Sequence, residues 1–282
     1  MTERPRPRVA LLGMPRSGKS TYLGTLWAVV QSPLDDSVVE ASFSGDRAYV
    51  QRLADQVARA QEVERTALDS SGQLAVTLEF EHDGLADLLI PDTSGESLRL
   101  LFEQRVWYPP LRAVCEEATS ILLFVHPERI RVPQPISVLG AAASAANGGG
   151  DQTSTATIAF DPREHASSAA ELISVVENVI EIGQAAWPVR FAVVVSAWDS
   201  VDGEPTPYDW LQTRMPGLLS TLESNPHTAG LGVFGVSAQG GALEDRDELL
   251  AMGEIYDRVF ASDRDGKAVS LTEPLRWAIW GS

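Results

Sequence analysis

Val9-Ala10-Leu11-Leu12-Gly13-Met14-Pro15-Arg16-Ser17-Gly18-Lys19-Ser20-Thr21 decides the fold, because an apolar β-type run passes directly into G-x-x-x-x-G-K-S. Gly13 and Gly18 let the chain wrap through Met14, Pro15, Arg16 and Ser17 so that backbone N–H groups turn inward. The helix opening at Gly18 to Thr21 adds its positive N-terminal end to the same anion site. Lys19 supplies a point charge for the outer phosphates, and the Ser20 hydroxyl is placed to ligate Mg²⁺. Leu23, Leu26 and Trp27 continue the helix, so the motif lies between a strand and a helix, the context that its chemistry needs.

Outward from this point, short β-branched runs alternate with helical patterns, the order of a mostly parallel sheet covered by helices on both faces. Six strands are predicted, at Arg8 to Leu12, Leu74 to Phe80, Leu85 to Ile90, Ile121 to Val125, Arg190 to Val195 and Gly232 to Val236. His82-Asp83-Gly84 is a tight-turn signal, so the second and third of these form an antiparallel hairpin, and the expected fold is a three-layer α/β sheet with one antiparallel edge strand. Helices are predicted at Gly18 to Val30, Asp46 to Glu64, after Ser97, Leu111 to Ala118, Ser167 to Ile182, Tyr208 to Leu222 and Asp247 to Phe260. In the second, Tyr49, Leu53, Val57 and Ala60 make one apolar stripe that packs on the domain.

The 282 residues suffice for a single α/β domain over 8–282, preceded by an extended tail at 1–7. That domain carries a helical insertion near 46–65 and a second insertion near 127–166. The latter is rich in Ala, Ser and Gly and is expected to be flexible, with a binding role as the alternative, since it offers too little apolar surface to offset the entropy of ordering. A net charge of -17 repels phosphate backbones and anionic lipid, so neither nucleic acid nor a membrane is an expected partner. Cys115 is the only cysteine, no apolar run is long enough to span a bilayer, and a cytoplasmic location is expected. His82, His126, His165 and His227 lack metal-motif spacing, and Cys115 reads as a core residue of its helix.

Leu88-Leu89-Ile90-Pro91-Asp92-Thr93-Ser94-Gly95-Glu96 carries a second signal. Asp92, at the carboxyl end of a buried strand, is suited to hold Mg²⁺ through water, and Gly95 can present its N–H to a terminal phosphate. These two motifs and the hairpin resemble the Ras-like and translation-factor class of P-loop GTPases. Ser196-Ala197-Trp198-Asp199 stands where that class has N-K-x-D, and Val236-Ser237-Ala238-Gln239 resembles its final S-A-K base-contacting loop.

The chain departs from that pattern at Ser196 and Ala197, which remove the lysine stem that packs against the base. Asp199 keeps the carboxylate that accepts from guanine, and the resemblance also assigns Ser237 and Ala238 to the nucleotide site. Trp198 reads either as a cover for the site or as a core aromatic. Thr66 is the candidate switch hydroxyl for Mg²⁺, with Ser70 and Ser71 as competitors, and Glu96 occupies the place of the glutamine that orients water. Together with Lys19 and Gly95, Glu96 makes the expected catalytic set.

More narrowly, Gly13 to Trp27, Ser196 to Asp199, Gly235 to Gly240 and Thr272 to Trp277 resemble the bacterial double-GTPase domains of conflict and signalling gene clusters. That resemblance implies GTP and GDP as ligands, Mg²⁺, a companion GTPase and a GTPase-activating-like regulator. Three readings follow: a slowly hydrolysing switch, a nucleotide-locked scaffold, or a P-loop ATPase or small-molecule kinase, the last disfavoured by Asp199 and the hairpin.

Overall fold

A computed structural model describes residues 6–32, 37–63, 74–91, 96–132, 166–183, 188–203 and 206–281. Among these residues nine strands form one sheet: β1 (Arg8–Gly13), β2 (Val38–Ser44), β3 (Leu74–Phe80), β4 (Gly84–Ile90), β5 (Ser120–Val125), β6 (Val189–Ser196), β7 (Thr228–Ser237), β8 (Phe260–Ser262) and β9 (Ala268–Val269). Their order across the sheet is β2-β3-β4-β1-β5-β6-β7-β8-β9. The run from β4 through β7 is parallel, which requires crossover helices between the strands.

The α/β class and the antiparallel β3–β4 hairpin are as expected; Phe80 pairs with Gly84 across a loop in which His82 has φ +69°. The strand count and the edge are corrected. β3 is reversed but is not an edge, because β2 pairs antiparallel on its outer side, and β8 is a second reversed strand beyond β7. A bulge between Glu40 and Ser42 interrupts the alternation of β2, which is why no strand pattern is visible there.

Strand alternation divides the interior into two cores, one on each face of the sheet. Val9 and Leu11 of β1 face α1 (Lys19–Val30), α2 (Arg47–Ala58) and the C-terminal helix Glu273–Trp280. Ala10 and Leu12 face α3 (Glu96–Gln104), α4 (Pro109–Glu117) and the helices Ser168–Ile182, Pro207–Arg214 and Pro216–Ser224. The single helix expected from Tyr208 to Leu222 is broken at Met215, because Pro216 removes an N–H and clashes with the preceding turn. The one expected from Asp247 to Phe260 is likewise two pieces, Arg246–Ala251 and Ile255–Arg258, separated at Gly253 with φ +104°.

In the inserted helix, Tyr49, Leu53, Val57 and Ala60 are all buried, as their spacing predicts. The helix stops at Ala58 rather than Glu64: Ala60 turns left-handed, its N–H reaches the Val57 carbonyl and that of Gln61 reaches Gln56. α2 lies on α1 so closely that a Cβ at Gly24 would stand 2.7 Å from the Leu53 carbonyl carbon. Trp27 packs edge-on against Phe43 of β2 and donates to Gln51 of α2 at 3.2 Å, so strand and helix share one core. At the amino end, Arg6 pairs with Asp87 at 3.1 Å, and the Pro7 carbonyl accepts from the Asp87 N–H.

Candidate nucleotide site

The parallel strands β1, β5, β6 and β7 all end at the carboxyl edge of the sheet, where open α/β sheets gather ligand groups. The phosphate loop occupies the centre of that edge. Gly13 ends β1 opposite Phe124, and a Cβ on it would lie 2.9 Å from the Phe124 carbonyl oxygen. Gly18 has φ +90°, a conformation that costs an L side chain about 1 kcal/mol or more, and a Cβ there would meet the Ser196 Cβ at 2.6 Å. Both glycines are therefore required by backbone approach, and together they curl Met14, Pro15, Arg16 and Ser17 into a concave turn closed by the Ser17 N–H on the Met14 carbonyl.

Lys19 lies across this turn, its Nζ donating to the Gly13 carbonyl at 2.5 Å, the Met14 carbonyl at 2.9 Å and the Ser17 hydroxyl at 3.2 Å. Lysine occurs elsewhere only at Lys267, every other cationic side chain being arginine. A compact ammonium, the side chain suited to meet phosphate oxygens as a point charge, thus stands at this turn. Ser20 and Thr21 are half-buried in the first turn of α1, and the helix is left uncapped by any side chain at Gly18. The two tight glycines, the uncapped helix start and the adjacent ammonium fit a phosphate chain, and Ser20 is the described hydroxyl suited to Mg²⁺. Asp92, Gly95 and Thr66, with Ser70 and Ser71, lie outside the described residues.

The ends of β6 and β7 stand beside this turn. Ser196 is buried, donates to the Val125 carbonyl at 3.2 Å and backs directly onto Gly18, so the position replacing asparagine joins the two motifs by contact. Ala197 turns left-handed at φ 47°, which swings Asp199 out to an exposed place. Ser237, fully buried, donates to Asp199 Oδ1 and accepts from the Gly240 N–H at 3.2 Å; it orients the carboxylate from behind. Ala238 follows, its carbonyl accepting from the buried Thr25 hydroxyl of α1 at 2.7 Å.

Trp198 is half-buried and packs against the core: its ring lies against Gly235, where any side chain would collide with it. His126 follows β5 beside this junction, and burial pulls its imidazole below the usual range, leaving it neutral at pH 7. Sequence spacing does not single out Thr25 or His126, because neither belongs to a motif; both are found only through the sheet register and the α1 packing.

Glu96 opens α3 and is exposed at an open cleft of about 290 Å³ that it shares with Arg99, Leu100 and Glu103. Arg99 pairs with Glu103 at 3.1 Å, and Arg16 is exposed with φ 61°. Burial pushes the Cys115 thiol up to about 12, with Glu116 adding to the shift, so it is no nucleophile at neutral pH. Among the described residues no cluster of His, Cys, Asp and Glu could hold a metal on its own, and no helix is long and apolar enough to cross a membrane.

A glycine-built phosphate turn before a helix, an aspartate fixed by a serine on the neighbouring strand and a reversed β3 define a P-loop fold of the GTPase class. The sequence matches the Double-GTPase 1 family over residues 10–278, and the chain belongs to that family. A comparison with curated proteins finds no match. Among solved structures it is similar to an Aquifex aeolicus Era variant bound to GDP.AlF4-, at 15% identity and TM-score 0.35, covering 86% of this chain and 54% of that one. A Sulfolobus solfataricus GTP-binding protein in complex with GDP is similar at 11% identity and TM-score 0.32, covering 87% and 51%. The RocCORdC region of Methanosarcina barkeri Roco2 bound to GDP is similar at 11% identity and TM-score 0.30, covering 89% and 50%. The chain spans about half the length of each of these three.

Proposed function

We propose that the chain is a cytoplasmic GTP-binding switch that hydrolyses GTP slowly with Mg²⁺ and controls a protein assembly in a bacterial conflict or signalling system. The observation that carries this reading is the contact of Gly18 with Ser196, which joins the phosphate turn to the strand end bearing Asp199. Lys19 and the N–H groups of the turn would hold the phosphates, while Asp199, oriented by Ser237, would accept from the guanine edge. Mg²⁺, when bound, supplies counter-charge to the phosphate oxygens; Ser20 would hold it, with Asp92 and Thr66 as further ligands. Gly95 would offer its N–H to the terminal phosphate, as the motif implies.

Slow turnover follows from the charges near the reaction. Glu96 is exposed at the start of α3, able to accept a proton from water but repelled by a terminal phosphate. Arg99 is engaged by Glu103, and Arg16 is exposed on a left-handed backbone. A further cation would come from a GTPase-activating-like partner, whose arginine raises turnover about 10³ to 10⁵-fold in related systems. A companion GTPase is the second expected partner.

Single-turnover GTP hydrolysis by wild type, Glu96→Gln and Glu96→Ala, each at equal occupancy, tests this. Slow wild-type turnover, reduced further in Glu96→Ala, is expected. Fast turnover without a partner, or an alanine variant as active as wild type, would remove Glu96 from the hydrolytic role.

A further inference from the structure

At the carboxyl end of α2 the Val57 carbonyl accepts from the Ala60 N–H, and the last carbonyls carry the negative end of the helix dipole. Arg258 meets them. It ends the Ile255–Arg258 helix, is only 4% exposed, and donates through Nη2 to the Val57 and Ala58 carbonyls and through Nη1 to the Leu249 carbonyl at 3.3 Å. A buried guanidinium is costly without compensation; here the α2 carbonyls satisfy Nη2 and the Leu249 carbonyl Nη1, while Nε has no partner among the described residues.

The same arginine backs onto the base loop. A Cβ at Gly240, where φ is +91°, would stand 2.7 Å from the Arg258 carbonyl oxygen and 2.8 Å from its Cβ. Gln239, the neighbouring residue of that loop, donates from Nε2 to the Val57 carbonyl at 3.3 Å, the acceptor that Arg258 also uses. The inserted helix and the segment Ser237 to Gly240 are thus tied at one point, opposite the Thr25 bond that holds Ala238 from α1.

We propose that Arg258, with Gln239, is a positioning residue for base selectivity, clamping the Ser237 to Gly240 loop against α2. This rests on the reading of that loop as the guanine-contacting segment. Guanine presents an acceptor at O6 where adenine presents an amino donor, so a backbone N–H held rigidly at that edge favours one and repels the other. A loop released from α2 can turn away from the adenine amino group, which lowers discrimination more than it lowers phosphate binding.

The test uses the full chain and non-hydrolysable GTP and ATP analogues, titrated against wild type, Arg258→Met, Arg258→Lys and Gln239→Ala, with thermal unfolding as the fold check. Arg258→Met is expected to lower the GTP-over-ATP preference by about tenfold, Arg258→Lys to restore part of it and Gln239→Ala to lower it by about threefold. A change of overall stability alone does not move this ratio. A wild type that prefers GTP beside a folded Arg258→Met with the same preference overturns the clamp alone. A wild type without guanine preference overturns the base-site reading and the clamp with it. If Arg258→Met does not fold, Gln239→Ala decides: an undiminished preference there overturns the proposal.

Discussion

Asp199 owes its geometry to residues far away in sequence. Ala197 turns the chain, Ser237 fixes one carboxylate oxygen, and Gly240 closes the hydrogen-bond chain behind it. Replacing Asp199 by Asn exchanges an acceptor for a donor while Ser237 keeps its own place, so the base edge is altered and the fold is not. Weaker GTP binding by about tenfold or more, with improved XTP binding, is expected from losing a charge-assisted hydrogen bond of ~1.5 to 3 kcal/mol. Competition between GTP and XTP for wild type and Asp199→Asn measures this, and an unchanged ratio would detach Asp199 from base choice. At this scale the phosphate turn was legible because each fixed residue has a separate chemical reason. The contact of Ser196 with Gly18 was not, because it is made by register between β5 and β6 rather than by local pattern.

Helix α2 was legible from its stripe, and the strand before it was not. Val38–Ser44 has exposed or half-buried Ala, Ser and Glu positions and a bulge, so neither composition nor alternation marks it. Pro216 and Gly253 carried their helix-breaking signals openly; a helical period running through them overrode the breaks that the chain makes. β8 and β9, of three and two residues, are too short for any period to register.

The packing of α2 on α1 depends on the absence of a side chain at Gly24. Alanine there gains about 0.8 to 1 kcal/mol in helix propensity. It also places a Cβ at 2.7 and 2.8 Å from backbone atoms of Leu53, which cannot swing aside as a side-chain tip can. Overpacking of this kind costs about 1 to 3 kcal/mol, so the contact wins and Gly24→Ala destabilises by roughly 1 kcal/mol. Urea denaturation reads the difference; a more stable Gly24→Ala would mean that α2 does not press on α1 as described.

For the molecule as a whole, the net charge of -17 sets a general repulsion toward anions, and the carboxyl edge of the sheet overcomes it at one place. There the α1 N-terminus and Lys19 stand at the glycine turn, where we propose the phosphates bind, and Asp199 and Ala238 stand beside it, where we propose the base binds. The most direct test is a titration of wild type and Lys19→Ala with GTP, ATP, GDP and ADP, with and without Mg²⁺. Wild type is expected to bind GTP in a Mg²⁺-dependent manner and at least about tenfold more tightly than ATP, and a folded Lys19→Ala to lose about tenfold or more of triphosphate affinity. Equal binding of GTP and ATP by wild type, or undiminished triphosphate binding by the folded lysine variant, would contradict the account.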